Sequence, residues 1–441
     1  MPENSMKTAH YVAGWLLALS MVAGLAAEPR RIKLETREVL LGKLPSNVVP
    51  KTPTVSPDAS RLAYVVLGTN QQPQLFVDGA LAKPYGVTVP GGPVFSPDSR
   101  RIAWPLVRDG MMVVVVNGVE EKKRFESIAK YAMSFSPDSQ RIAYVAGPSA
   151  GTMCMMVGDV ESAVYNGIGT SPDGNSPGRG TFWSPDSKHY AFNAARSPSQ
   201  WLLVRDGVET ATFDRLKAPV FSPDSQHLAW AGKRGTKAFV VRDGKEGKPY
   251  EEVLDDTLVF SPDSQQLVYC GRRAGKDYLV VDGVEVREHD ALLRGGPVFS
   301  PDGKSLAYAV VRGMKRFLIV NGQEAHEYDW DLGYPVFSPD SKRLAFYLEA
   351  NFKTCAVVDG VQGKSYSEIA GLQFSPDSRH CAYWACRGAC WVVVADEVES
   401  DTGYNGSVAS CPLAFDGPTT LRGAAFRDNQ IFRVEVKILE E

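Results

Sequence analysis

Hydrophobic and polar positions alternate with period two over short stretches, and those stretches recur in step along the chain. Counted from nine serines, the sixth following residue is Leu or Ile in seven cases: Leu62, Ile102, Ile142, Leu228, Leu267, Leu306 and Leu344. The seventh is alanine in eight cases and Val268 in the ninth, and the eighth is always aromatic: Tyr64, Trp104, Tyr144, Phe192, Trp230, Tyr269, Tyr308, Phe346 and Tyr383. Bulky, small, bulky at successive positions predicts a β-strand covered on both faces, one face large and the other small.

A second, valine-rich strand follows in each unit and stops at a turn dipeptide. Examples are Asp78-Gly79, Asn117-Gly118, Asp206-Gly207, Asp243-Gly244, Asp282-Gly283, Asn321-Gly322 and Asp359-Gly360. Asn-Gly and Asp-Gly supply the positive φ angles of a tight hairpin. A third strand carries one aromatic slot, filled by Tyr85, Phe125, Tyr165, Phe213, Tyr250, His289, Tyr328, Tyr366 and Tyr404. A short run before each serine, such as Pro93-Val94-Phe95, makes a fourth, where proline is tolerated because it opens the strand.

The serines themselves begin the motif Ser-Pro-Asp, at Ser56, Ser96, Ser136, Ser184, Ser222, Ser261, Ser300, Ser338 and Ser375, with spacings of 37 to 48 residues. Proline sets φ, and the Ser and Asp side chains bond nearby amides, so these aspartates are turn residues rather than a catalytic set. Four short antiparallel strands per roughly 40 residues is the period of a β-propeller blade. The run "FSPDSxRLAY…VVDGxE…Y" resembles the WD-like repeat of TolB-type periplasmic proteins. It is similar also to the propeller domains of tricorn and of prolyl oligopeptidase relatives. The resemblance spans about residues 50 to 405 and implies a propeller, but not an activity, because propellers host many. The chain leaves no room for the peptidases' separate hydrolase domain. It shows no counterpart of the N-terminal α/β domain of TolB, so TolB's specific partnership is not implied.

The expected fold is therefore all-β, a single propeller of four-stranded antiparallel blades, with nine repeats over about residues 50–410. Residues 31–41 and 420–439 read as strands without a blade of their own. Joining them closes the ring as a tenth, composite blade and removes exposed sheet edges. Ten blades are expected; the alternative is nine, with the terminal strands added to a neighbour. The longest unit carries an insertion at Gly169–Gly180 (GTSPDGNSPGRG), with an extra Ser171-Pro172-Asp173 that lacks the aromatic slot. Its composition reads as an exposed loop.

Composition changes this picture little. The chain has 441 residues and a net charge of −3, which offers no general attraction for nucleic acid. Residues 1–27 look like an export signal: Lys7 precedes the uncharged stretch Tyr11–Ala27, which ends in small residues before Glu28. The alternative is a permanent anchor, although 17 residues stand at the lower limit for spanning a bilayer. Residues 28–441 would then be the propeller, periplasmic or secreted, with no transmembrane segment once the signal is removed.

Candidate chemistry is sparse, and no cofactor is expected. His189, His227 and His380 each occupy a slot held by arginine in other repeats, so they lie in three separate blades. His289, Asp290, His326 and Asp329 are weak metal candidates near the channel mouth, with Asp331, Asp255 and Asp256 nearby. None of them has ligand spacing. Of seven cysteines, Cys386 and Cys390 flank a short turn (Arg387-Gly388-Ala389) and are a candidate disulfide.

Charge is more informative. The loops between first and second strands in the fifth to ninth units hold Lys233, Arg234, Lys237, Arg272, Arg273, Lys276, Arg312, Lys315, Arg316, Lys353 and Arg387, against only Asp277 and Glu349. Half of one rim should be positive. The sequence thus points to an exported, monomeric scaffold that binds a protein or acidic polymer, not nucleic acid, on that face. The alternatives are a hydrolase or lyase acting on polysaccharide or peptide at the channel mouth, and a passive envelope component. Export predicts cleavage near Ala26 or Ala27, and N-terminal sequencing of the mature protein that began at Met1 or Met6 would contradict it.

Overall fold

The computed structural model describes residues 31–441 except 70, 84–86, 89–91, 170–179 and 294. Residues 1–27, expected to be an export signal, Tyr85 and the insertion with Ser171-Pro172-Asp173 therefore lie outside, or mostly outside, the described residues. The rest is all-β: ten antiparallel sheets of four principal strands each, arranged as a ten-bladed propeller.

Blade 5 is representative. Its innermost strand is split into Arg215–Leu216 and Val220–Phe221, followed outward by Leu228–Arg234, Lys237–Arg242 and Lys245–Glu246. The short run before Ser-Pro-Asp, counted in sequence as the last strand of a unit, is thus the first strand of the next blade. The reason is local: the Ser-Pro-Asp turn is itself a hairpin, so Val220 pairs with Ala229 and Phe221 with Leu228. The aromatic slot also differs from a uniform third strand. In blade 5 Tyr250 makes only an isolated bridge to Ala238, whereas in blades 6 to 8 the outer strand runs unbroken, as in Val284–His289.

Ring closure follows the composite arrangement. Blade 10 runs from Gly406–Ser407 and Ala414–Phe415 through Thr420–Arg427 and Gln430–Glu440 to Ile32–Lys43 as its outermost strand. The pairing of the two ends extends from Ile32↔Glu440 to Lys43↔Gln430, with one bulge near Leu40. The alternative of nine blades does not hold.

Blades bury their faces against each other. Ala103 of blade 2, fully buried, packs with Ile142 and Tyr144 of blade 3. Ala229 of blade 5 does the same with Leu267 and Tyr269 of blade 6. The small face of one blade receives the bulky face of the next, which is why bulky and small residues alternate along the strand.

A polar seam repeats beside this packing. Each repeat serine donates to its own aspartate, as Ser136 Oγ does to Asp138 Oδ1 at 2.5 Å, and accepts from the amide five residues on. A second serine, three positions after the first, reaches across the blade boundary. Asp58 N–H donates to Ser99 Oγ, Asp98 to Ser139, Asp138 to Ser187, Asp186 to Ser225, Asp224 to Ser264, Asp302 to Ser341 and Asp340 to Ser378, all at 2.9–3.0 Å. These serines sit at φ near +62 to +67°, a conformation that costs a side chain energy and that the bond across the boundary offsets. The seam breaks where Gly303 replaces the second serine. Ala59 stands where no donor exists, because blade 10 has no Ser-Pro-Asp turn.

Two outcomes test this account. Ser225→Ala should cost about 1 kcal/mol in denaturant unfolding by removing the partner of the Asp186 amide across the blade boundary, while Ala59→Ser gains nothing. Deleting residues 420–441 should lower the melting temperature of the whole molecule; an unchanged single transition would contradict closure through blade 10.

Candidate functional site

The two faces of the ring carry different chemistry. One holds the Ser-Pro-Asp and Asp-Gly turns. There the Asp243 carboxylate accepts from Leu228 N–H at 3.0 Å and from His227 Nδ1 at 2.7 Å. His189 and His380 meet Asp206 and Asp396 in the same way, at 2.8 and 2.6 Å, in the position where Arg61 meets Asp78. All nine repeat aspartates are held in their ionised form below the ordinary carboxylate range. For Asp98 the causes are the Ser96 hydroxyl and then the Arg100 amide. Groups engaged in this way serve the turn and are poor proton donors.

The other face carries the first-to-second-strand hairpins and the connections between blades. Asp214, in the connection from blade 4 to blade 5, accepts from the hairpin amide of Gly235 at 2.6 Å, which fixes both on one side. All the candidate rim cations lie here, but most are neutralised. In six of the nine repeats an arginine stands twelve residues after the repeat serine, and about twelve further on an outer-strand glutamate meets it. The pairs are Arg108–Glu120 at 2.8 Å, Arg234–Glu246 at 2.7 Å, Arg273–Glu285 at 3.0 Å, Arg312–Glu324 at 2.5 Å and Arg387–Glu399 at 3.1 Å, with Arg196 on Glu209 alike. Blade 10 reproduces the pair across the chain ends as Arg427–Glu38, at 3.0 Å.

Three of these glutamates also tie neighbouring blades. Tyr165, Tyr250 and Tyr366, from the aromatic slot, donate to Glu209, Glu285 and Glu399 of the following blade at 2.9, 3.1 and 3.0 Å. Where the slot holds Phe213, Arg234 lies 4.0 Å over its ring instead. The remaining cations pair with the connections: Lys276 with Asp290, Lys315 with Asp329 and Arg316 with Asp331, at 2.5–2.9 Å. Asp277 is no rim acid, being fully buried under Arg272 and bonded to Leu292 N–H.

A uniformly positive half-rim is therefore not what forms. Counting acids only within the hairpins missed the outer-strand glutamates, although their fixed offset from arginine was present in the sequence. Of the eleven cations, Lys233, Lys237 and Lys353 make no ion pair among the described residues.

The metal candidates do not converge either. His289 is buried edge-on to Tyr308 of blade 7, ring centres 5.5 Å apart. Burial, then Arg287 and Arg312, pull its pKa down to about 4. His326 instead lies against Gly360 of blade 8, while Asp290 and Asp329 are taken by Lys276 and Lys315. Among the described residues no group of three or more His, Cys, Asp or Glu could hold an ion. The separation is a consequence of the repeat, which aims equivalent positions at successive interfaces.

Cys386 and Cys390 also fail to meet. The turn between their strands is two residues long, so Cys386 pairs with Trp391 and Arg387 with Cys390. That register sends the two thiols to opposite faces of the sheet, and both are free. The run Gly147-Pro148-Ser149-Ala150-Gly151 has the Gly-x-Ser-x-Gly spacing of a nucleophile elbow. It begins at the last residue of one strand and forms a hairpin to the next rather than a strand-to-helix turn, with Ser149 Oγ 2.7 Å from Thr152 Oγ1.

The inner strands of blades 3 to 5 leave a recess of about 510 Å³, lined by residues including Phe135, Phe182, Trp183, Pro219 and Phe221. Its polar groups are few, Trp183 Nε1 donating to Ser134 Oγ at 3.1 Å, and among the described residues none of its lining side chains titrates.

No family model and no curated protein matches the chain. Solved structures do, at low similarity. A structure described as a eukaryotic initiation factor is 12% identical with TM-score 0.42, over 71% of this chain and 87% of that one. The dihydro-heme d1 dehydrogenase NirN is 14% identical with TM-score 0.37, over 74% and 77%. TolB from Acinetobacter baumannii is 15% identical with TM-score 0.26, over 63% and 80%. Such likenesses transfer no activity, and the propeller assignment rests on this chain's own ten sheets.

Proposed function

We propose that the protein is an exported, monomeric interaction scaffold, periplasmic or secreted, that binds a protein or an acidic polymer on its hairpin face and is not an enzyme. The observation that carries this reading is how the polar side chains are spent. The repeat aspartates, the His–Asp pairs and the Arg–Glu pairs all serve turns or blade boundaries. What is left over on the hairpin face is Lys233, Lys237 and Lys353, cations not tied to the fold. Blade-to-blade pairing makes the framework rigid, and a rigid framework presenting exposed loops suits recognition.

Charge on the paired arginines is unsuited to a test, because reversing Arg234 or Arg273 would break contacts between blades. The informative variant is Lys233→Glu/Lys237→Glu/Lys353→Glu, with Arg100→Glu on the opposite face as control. The triple variant should melt like the wild type yet lose most capture of the native envelope partner, with an association that weakens as salt rises. Equal loss in the control, or none in either, would contradict the reading.

A further inference from the structure

Blades 7 and 8 differ from the rest of the hairpin face. Their tips carry Met314 and Phe352, which are 88% and 98% exposed. Elsewhere the second tip position holds Gly110, Ser199, Thr236, Gly275, Ala389 or Asn429. Phe352 is also strained: Asn351 and Phe352 both have positive φ, 50° and 59°. Where the same turn recurs, Gly110, Gly275 and Asn429 take that position, since a bulky side chain there is unfavourable. Fully exposed and conformationally costly, the phenyl ring contributes nothing to the fold. Such strain is retained where a site uses it.

Trp330 adds to the same sector, 38% exposed. Trp330 lies in the connection between the two blades. Its neighbour Asp329 pairs with Lys315 beside Met314 at 2.6 Å, and Asp331 stands opposite Glu349, just before the Phe352 tip. Arg316 binds both Asp331 Oδ1 and the Met314 carbonyl, so tip and connection are held together.

We infer that this sector docks on a lipid bilayer surface, with Met314 and Phe352 entering the acyl boundary and Trp330 at headgroup depth. Three features favour lipid over a protein. Large side chains of this kind cover roughly 150–250 Å² each, so the three exposed groups offer on the order of 400 Å². That is below the roughly 800 Å² per partner of a stable protein interface. The charges beside the Met314 tip are already matched: Arg312 with Glu324, Lys315 with Asp329, Arg316 with Asp331. An oppositely charged protein gains little at that tip, whereas a bilayer needs only apolar insertion and tolerates the amphipathic Trp330 ring. Finally, the apolar groups are projecting tips rather than a shaped groove. Lys353, next to Phe352 and without an ion pair among the described residues, can lay its stem along the interface with its ammonium in water.

This contact shares Lys353 with the protein or polymer surface proposed above, so vesicle association and partner capture are measured separately. The test is flotation of the purified full-length protein with vesicles of phosphatidylethanolamine and phosphatidylglycerol, and of phosphatidylcholine alone. Wild type is compared with Met314→Ser/Phe352→Ser and with Val119→Ser/Val208→Ser, exposed valines beyond turns of the opposite face. All forms carry the same N-terminal segment, so the local readout is quenching of Trp330 by brominated lipid, assigned with Trp330→Phe. The tip variant should bind about tenfold more weakly or worse, the valine variant like wild type, and Trp330 should be quenched. Phe352→Gly separates folding from binding: it should melt at or above the wild-type temperature and still lose vesicle association. The inference is overturned by a wild type that does not float, by an unquenched Trp330, or by equal loss in the tip and valine variants. Loss of partner capture in the tip variant with no vesicle binding by the wild type would make the sector a protein interface instead.

Discussion

Every blade of this protein depends on the burial of its two faces against its neighbours. A sheet whose strands run two to seven residues in most blades cannot cover its own apolar faces in water. The alternating bulky and small positions solve this only in company, since Tyr144 has its cover in Ala103 one blade back and Tyr269 has its own in Ala229. An open row would leave its first bulky face and last small face wet. Closure through Ile32–Lys43 is therefore a requirement of the same packing, and Ile32 and Leu34 are buried in the cluster that joins blade 9 to blade 10.

Once the faces are dry, polar groups at their margins must be paired, because an orphaned buried amide or charge costs energy comparable to a lost hydrogen bond or more. The serine seam meets that demand at seven boundaries on one face, and Tyr–Glu–Arg contacts meet it at three on the other. They also use up much of the reactive inventory. A carboxylate fixed by a serine hydroxyl and an amide, or a histidine edge-on to a tyrosine, has been assigned to structure by its surroundings. The propeller uses these groups to hold itself together.

What projects is unevenly distributed. Six of the other tips are small or polar; Lys233, Lys237 and Lys353 make no ion pair among the described residues; and two neighbouring tips, in blades 7 and 8, are large and apolar. A tenfold repeat would present an identical edge at each step, so function enters through departures from the repeat. Phe352 is the sharpest of these, because its exposure and its positive φ both work against the free protein.

Much of the fold was legible in sequence because the signals are local. Strand alternation, Asn-Gly and Asp-Gly turns and Ser-Pro-Asp each need only a few neighbouring residues, and repetition multiplies their weight. The composite blade was legible as well, since Arg31–Leu41 and Ile431–Leu439 lacked partners of their own. The site was not. Whether Arg273 is a free cation depends on Glu285 lying beside it on an adjacent strand; whether Cys386 meets Cys390 depends on a one-residue register; whether Ser99 is a linker depends on Asp58 of another blade. Sequence alone determined the repeat, the strand faces and the turns, which are set by steric and hydrophobic preferences along the chain. Only the tertiary structure decided which charges survive pairing and which side chains remain exposed, because those depend on distances between residues that the ring, not the chain, brings together.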